Sequence, residues 1–244
     1  MRTAALFCCL SLLCSCTETE KKKDHHIIEV KRAEQPPALD GRPNDHIWDQ
    51  VAWHAIDQNW MGNSYTHEDF NGRYKLAWDA NALYLLVEVV DDVYYDKTKD
   101  PLKLYWDDDC LEIFMDGDNS GGLHQYSHNA FAYHVALDGN VTDISTDKTV
   151  LLFNDHMTME SLKEDQTMTW EIALKVYPGN YEEDSENNVE KLSKNKKMGF
   201  ALAYCDNDGS LERENFIGSV FIPGEDKNQA WINADLFGTL ILIE

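Results

Sequence analysis

The stretch Trp106-Asp107-Asp108-Asp109-Cys110-Leu111-Glu112-Ile113-Phe114-Met115-Asp116-Gly117-Asp118 limits what this chain can fold into more than any other segment. Leu111, Ile113 and Met115 alternate with Cys110, Glu112 and Phe114, the period-two pattern of a β-strand. The odd positions are expected to face a core. Glu112 then lies on the opposite face, on a strand whose other neighbours are apolar or aromatic, so its carboxylate needs a partner or a task. Two readings are open for it: an acid satisfied by an arginine or a backbone amide, or a functional carboxylate.

Other segments carry similar patterns. Residues 27–31, 72–78, 83–90, 129–136, 149–153, 168–176, 198–205, 216–221 and 237–243 read as strands separated by turn residues. Asp79-Ala80-Asn81 folds 72–78 back on 83–90 as a hairpin, with Leu76 and Trp78 on one face of its first strand. Trp170, Ile172 and Leu174 form another inward stripe. Pro36-Pro37 and Asp40-Gly41 turn the chain into a short helical piece over 44–51, where Trp48 is expected to plug the core. Helical periodicity is otherwise nearly absent. About ten short strands with so little helix predict one all-β domain of two antiparallel sheets packed face to face, a β-sandwich. The charged, Asn-rich stretch 181–197 reads as a solvated loop. The loop 93–105, with Tyr94, Tyr95, Asp96 and Pro101, has a length that is commonly functional.

Residues 106–116 resemble the central motif of the family 9 carbohydrate-binding modules, cellulose- and xylan-binding domains attached to bacterial glycoside hydrolases. Three further stretches agree in the same order. Asp40-Gly41, Asp45 and Trp48 are similar to the family's opening signature, and Trp78-Asp79 with Leu83-Tyr84 to its hairpin. Trp231, Phe237-Gly238 and Leu240 are similar to its ending. The resemblance spans residues 27–244 and implies a jelly-roll-like β-sandwich that binds an oligosaccharide or polysaccharide without cleaving it.

It also implies a site. Family members hold a sugar end between two tryptophans, which fall on Trp106 and Trp231, while polar groups read the hydroxyls. The motif glutamate falls on Glu112 and the asparagine on Asn228. The family's arginine, on the strand after the central one, has His134 as its nearest equivalent here, and an imidazole lacks the forked donor geometry of a guanidinium. A pyranose suits such a set, because flat aromatic walls desolvate its C–H faces while a carboxylate and an amide meet its hydroxyl rim.

Two rival functions have some support in residue type. A glycosidase needs two carboxylates across a cleft, for which Asp107, Asp108, Asp109, Glu112 and Glu171 are candidates. Haem ligation needs His or Met, and Met61, Met115, His124, His128 and His134 are present without diagnostic spacing.

The beginning of the chain reads as an export segment. An apolar run from Ala4 to Leu13 follows Arg2, and Leu13-Cys14-Ser15-Cys16 resembles a bacterial lipobox. The expectation is a signal peptide over 1–15, a lipidated Cys16, and a flexible tether over 16–26 that leaves a monomer lipid-anchored at a bacterial cell envelope. Of six cysteines, only Cys110 and Cys205 then remain in the domain, either as a disulfide or as two small buried side chains. A formal charge of −23 argues against nucleic acid or an anionic membrane surface as a partner, but a neutral glycan is indifferent to it. Calcium is expected as a structural ion at Asp91 and Asp92 and at Asp116, Asp118 and Asn119.

Overall fold

The computed structural model describes residues 26–244, so the expected signal peptide, the lipid anchor at Cys16 and nearly all of the tether lie outside the described residues. Fourteen strands are present among those described: β1 (Ile27–Arg32), β2 (His54–Ile56), β3 (Gln58–Met61), β4 (Phe70–Trp78), β5 (Leu83–Asp91), β6 (Cys110–Asp116), β7 (Phe131–Ala136), β8 (Val141–Ile144), β9 (Val150–Leu152), β10 (Met157–Glu164), β11 (Thr167–Leu174), β12 (Lys197–Asp206), β13 (Asn215–Gly218) and β14 (Gly238–Ile243). The helical piece near Trp48 is a single turn, α1 (His46–Asp49).

Two layers enclose the core. One runs β10-β11-β5-β4 and the other β14-β12-β6-β7-β8-β9, with neighbours antiparallel inside each. The first strand joins them: β1 pairs in parallel with β14 from Ile27 to Lys31 and with β4 at Lys31 and Arg32. The sandwich is therefore a continuous mixed sheet folded over on itself, open on its far side. Period-two patterning predicts the faces but says nothing of this seam, since parallel and antiparallel strands alternate alike.

Side-chain direction follows the alternation. Leu111, Ile113 and Met115 of β6 meet Leu83, Leu85, Val87 and Val89 of β5 and Trp170, Ile172 and Leu174 of β11 between the layers, together with Leu76 and Trp78 of β4. On the other face of β6, Cys110 and Phe114 are also buried, alongside Ala132 of β7 and Ala201, Ala203 and Cys205 of β12. That face is small because a second apolar cluster of Trp60, Phe216 and Phe237 lies over it. Trp60 reaches it only because residue 218 is glycine, where an added Cβ would sit 2.1 Å from the indole.

Glu171, on the outer face of β11, is tied into the fold. It accepts hydrogen bonds from the Asp40 and Gly41 amides at 2.9 and 3.0 Å and from Trp48 Nε1 at 2.8 Å. Trp48 is the expected core plug, 1% exposed, and Glu171 is what orients it. Residues 181–196 form no strand or helix, but the segment is not simply solvated: Leu192 is buried, and Tyr181 and Val189 pack on the core. Tyr181 stands edge-on to Phe131 and accepts or donates at 3.2 Å with His156, whose other ring nitrogen meets the Tyr133 hydroxyl at 2.7 Å.

Candidate functional site

Seven segments converge on one pocket of about 380 Å³ on the outer face of the second layer. Sheet order explains the convergence. Adjacent β6 and β7 place Glu112 directly opposite His134, and β8 adds Asp143. The loop before β6 brings Tyr105 and Trp106, and the β6–β7 loop brings His124, Gln125, Tyr126 and Ser127. Asn228 and Trp231 come from the segment between β13 and β14, and Arg213 comes from the β12–β13 turn.

All five residues assigned to sugar contact in the sequence, Trp106, Trp231, Glu112, Asn228 and His134, thus line a single pocket. The two tryptophans differ. Trp106 is 39% exposed and leans edge-on against Tyr105 at 5.0 Å, whereas Trp231 is half-buried and packs against the second apolar cluster.

The floor is ionic and buried. Glu112 Oε2 lies 3.2 Å from His134 Nε2 and 3.9 Å from Arg213 Nη1, with all three side chains almost fully covered. Burial pulls the His134 imidazole down, but the charge of Glu112 and the hydrogen bond to it bring it out above its ordinary value. Arg213 stacks its guanidinium over Phe216 at 4.0 Å and donates to Cys205 Sγ at 3.0 Å. Burial pushes Asp143 up to about 7, although its carboxylate accepts the Ala132 and Ile144 amides.

Arg213 is the residue that sequence reasoning missed. His134 stands in the pocket as expected, and a guanidinium that the expected set did not include joins it from a turn about eighty positions later. Its one sequence signal, a lone basic residue within Asp206 to Glu214, does not distinguish it from surface charge. Cys110 and Cys205 are directly opposite on β6 and β12, and both are free thiols.

The catalytic candidates do not converge, and of the haem candidates only His124 and His134 share the pocket. Among the five carboxylates, only Glu112 lines the pocket. Asp107 accepts the Arg213 amide, Asp108 the Lys97 amide and Asp109 those of Tyr95 and Asn207, so all three hold loops in place. Glu171 sits on the other layer. Met115 is inside the core, His128 is paired with Glu183 at 2.6 Å, and His124 with the Ala230 carbonyl at 2.7 Å.

The two expected calcium sets differ as well. Asp91, Asp206 and Asp208 place oxygens within 4.8 Å of one another, and Asp208 does the same with Asp69 and Asp92. Burial first, then the neighbouring carboxylates, push Asp91 and Asp208 to about 6 and Asp206 to about 8. Such crowding of acids fits a hard, oxygen-seeking cation. Asp116 instead accepts the Asp118 and Gly121 amides and Asp118 accepts the Ser120 amide, which makes a hydrogen-bonded turn; no cluster of three His, Cys, Asp or Glu side chains among the described residues includes Asp116 or Asp118.

Comparisons with known proteins agree with this architecture. A family 9 carbohydrate-binding module from Caldicellulosiruptor kristjanssonii, solved in complex with cellotriose, superposes with a TM-score of 0.65 at 25% identity, covering 88% of this chain and 93% of that one. The same organism's module in complex with glucose gives a TM-score of 0.64 at 22% identity, covering 89% and 95%. Endo-1,4-beta-xylanase C of Paenibacillus barcinonensis is 26% identical over 208 residues, which is 85% of this chain and 16% of the enzyme. Residues 39–244 match the sequence profile described as carbohydrate family 9 binding domain-like, and the chain belongs to that family.

Proposed function

We propose that this protein binds a plant-type glycan or its chain end non-catalytically, with a sugar ring held between Trp106 and Trp231 and its hydroxyls read by Glu112, His134, Asn228 and Arg213. The observation that carries the reading is the meeting of these six residues, from five separate segments, on one pocket. The related modules whose structures contain glucose and cellotriose supply the substrate class. The carboxylates of the described residues support binding rather than hydrolysis: Glu112 is committed to His134 and Arg213, and Asp143, the other acid lining the pocket, is held by backbone amides. Calorimetric titration with glucose, cello-, xylo- and manno-oligosaccharides tests this. Saturable binding to at least one series, without release of smaller sugars, is the expected outcome; no heat with any of them overturns the reading.

The protein is proposed to act at a bacterial cell envelope, held by an acylated Cys16. The full-length chain then enters the detergent phase in a phase-separation assay and Cys16→Ser does not; equal partitioning removes the anchor.

Calcium is proposed at Asp91, Asp206 and Asp208, with Asp69 and Asp92 adjoining. Carboxylates raised in the folded state bind protons that the unfolded chain has already released, so in chelator stability falls as pH rises from about 4 to about 8. An ion at a hundred times its Kd adds about 2.7 kcal/mol. Melting curves in calcium and in chelator are therefore expected to diverge more at pH 8 than at pH 5, and coincident curves at both exclude the ion.

A further inference from the structure

The floor of the pocket also brings together three side chains of metal-ligating type, two of which face the proposed sugar site. Glu112, His134 and Cys205 are 2%, 8% and 0% exposed, and one ligand atom of each lies within 4.8 Å of the other two. Glu112 Oε2 is central, 3.2 Å from His134 Nε2 and 4.0 Å from Cys205 Sγ. Donor atoms around a tetrahedral zinc stand roughly 3.3–3.7 Å apart, given metal–ligand bonds of about 2.0–2.3 Å. The two separations from Glu112 Oε2 lie just below and just above that range.

The imidazole orientation is an independent pointer. His134 Nδ1 faces the Ala132 carbonyl at 3.2 Å, so that nitrogen keeps a proton, and Nε2, 3.2 Å from the Glu112 carboxylate, is the ring position that carries either a second proton or a metal ion. A backbone carbonyl on the far nitrogen is the usual outer support of a metal-bound histidine. Arg213, donating to Cys205 Sγ at 3.0 Å, supplies the sulfur with the kind of outer hydrogen bond that steadies a thiolate.

We propose that Glu112, His134 and Cys205 bind a zinc-class divalent cation in the pocket floor. Sulfur, imidazole and carboxylate together suit zinc or cobalt rather than calcium. On binding, the Cys205 thiol releases its proton to solvent and the thiolate takes its place on the metal. Glu112 and His134 line the pocket, so the ion enters there and its fourth position opens toward whatever fills the pocket. The inference does not depend on that occupant being a sugar.

Cobalt(II) is the probe, because a cobalt–thiolate bond gives a near-ultraviolet charge-transfer band that carboxylate sites do not. The full chain is titrated with Cys8→Ser, Cys9→Ser, Cys14→Ser and Cys16→Ser in place, leaving Cys110 and Cys205 as its only thiols, and with calcium present to occupy the acidic cluster. One equivalent of cobalt is expected to produce the band and zinc to abolish it. Cys205→Ser removes it and Cys110→Ser keeps it. His134→Gln weakens cobalt binding by roughly 100-fold or more, beyond what loss of an outer-shell partner does. Absence of the band in the starting protein under excess cobalt overturns the proposal without reference to any ligand variant's folding, as does a band undiminished in Cys205→Ser. Sugar titration of the same metal-free sample reports separately on the carbohydrate reading.

Discussion

Alanine at Trp106 or at Trp231 is expected to weaken oligosaccharide binding by about 2 kcal/mol or more in each case, a roughly thirtyfold rise in Kd, the scale of a buried aromatic anchor. The two variants separate in stability. Trp106 is 39% exposed and rests on Tyr105, so its removal leaves the melting temperature nearly unchanged. Trp231 packs on the cluster of Trp60, Phe216 and Phe237, so its loss costs stability as well as affinity. Trp78, 2% exposed between the layers, is the contrast: Trp78→Ala is expected to lose about 3–5 kcal/mol of folding stability. Affinity and melting temperature measured together on all three decide the matter. If Trp106→Ala and Trp231→Ala bind sugar as tightly as the parent, the two-tryptophan site is wrong and only the fold assignment survives.

Glu112→Ala is expected to be costly in both respects, with about 3–5 kcal/mol of stability lost along with sugar binding. The physical reason is not the missing attraction so much as what stays behind: Arg213 and His134 remain buried with no carboxylate between them. Glu112→Gln keeps the shape and one acceptor, so it is expected to fold better than Glu112→Ala while still binding sugar poorly. Denaturant unfolding of the two variants checks this. Equal stability of Glu112→Ala and the parent removes the ionic floor as a structural element.

The sequence carried the local part of this protein to a large extent. Alternation along β6, β4 and β11 assigned Leu111, Trp78 and Trp170 to the core correctly, because a strand's two faces are set by residue parity alone. Ordered motifs brought Trp106, Glu112, His134, Asn228 and Trp231 to attention, and they do share a pocket. What only the tertiary structure decided depends on sheet order. The parallel seam at β1, the arrival of Arg213 beside Glu112, and the grouping of Asp91 with Asp206 and Asp208 each join segments far apart in the chain. Parity records which way a side chain points but not which strand lies next to it, and a charged residue in a turn has the same pattern whether it faces water or a buried carboxylate. Cys205 shows the limit: its place in a strand was legible, but its position opposite Cys110 and beside Glu112 and Arg213 follows from β12 pairing with β6, a contact that closes a loop of about a hundred residues and leaves no periodic trace in the sequence.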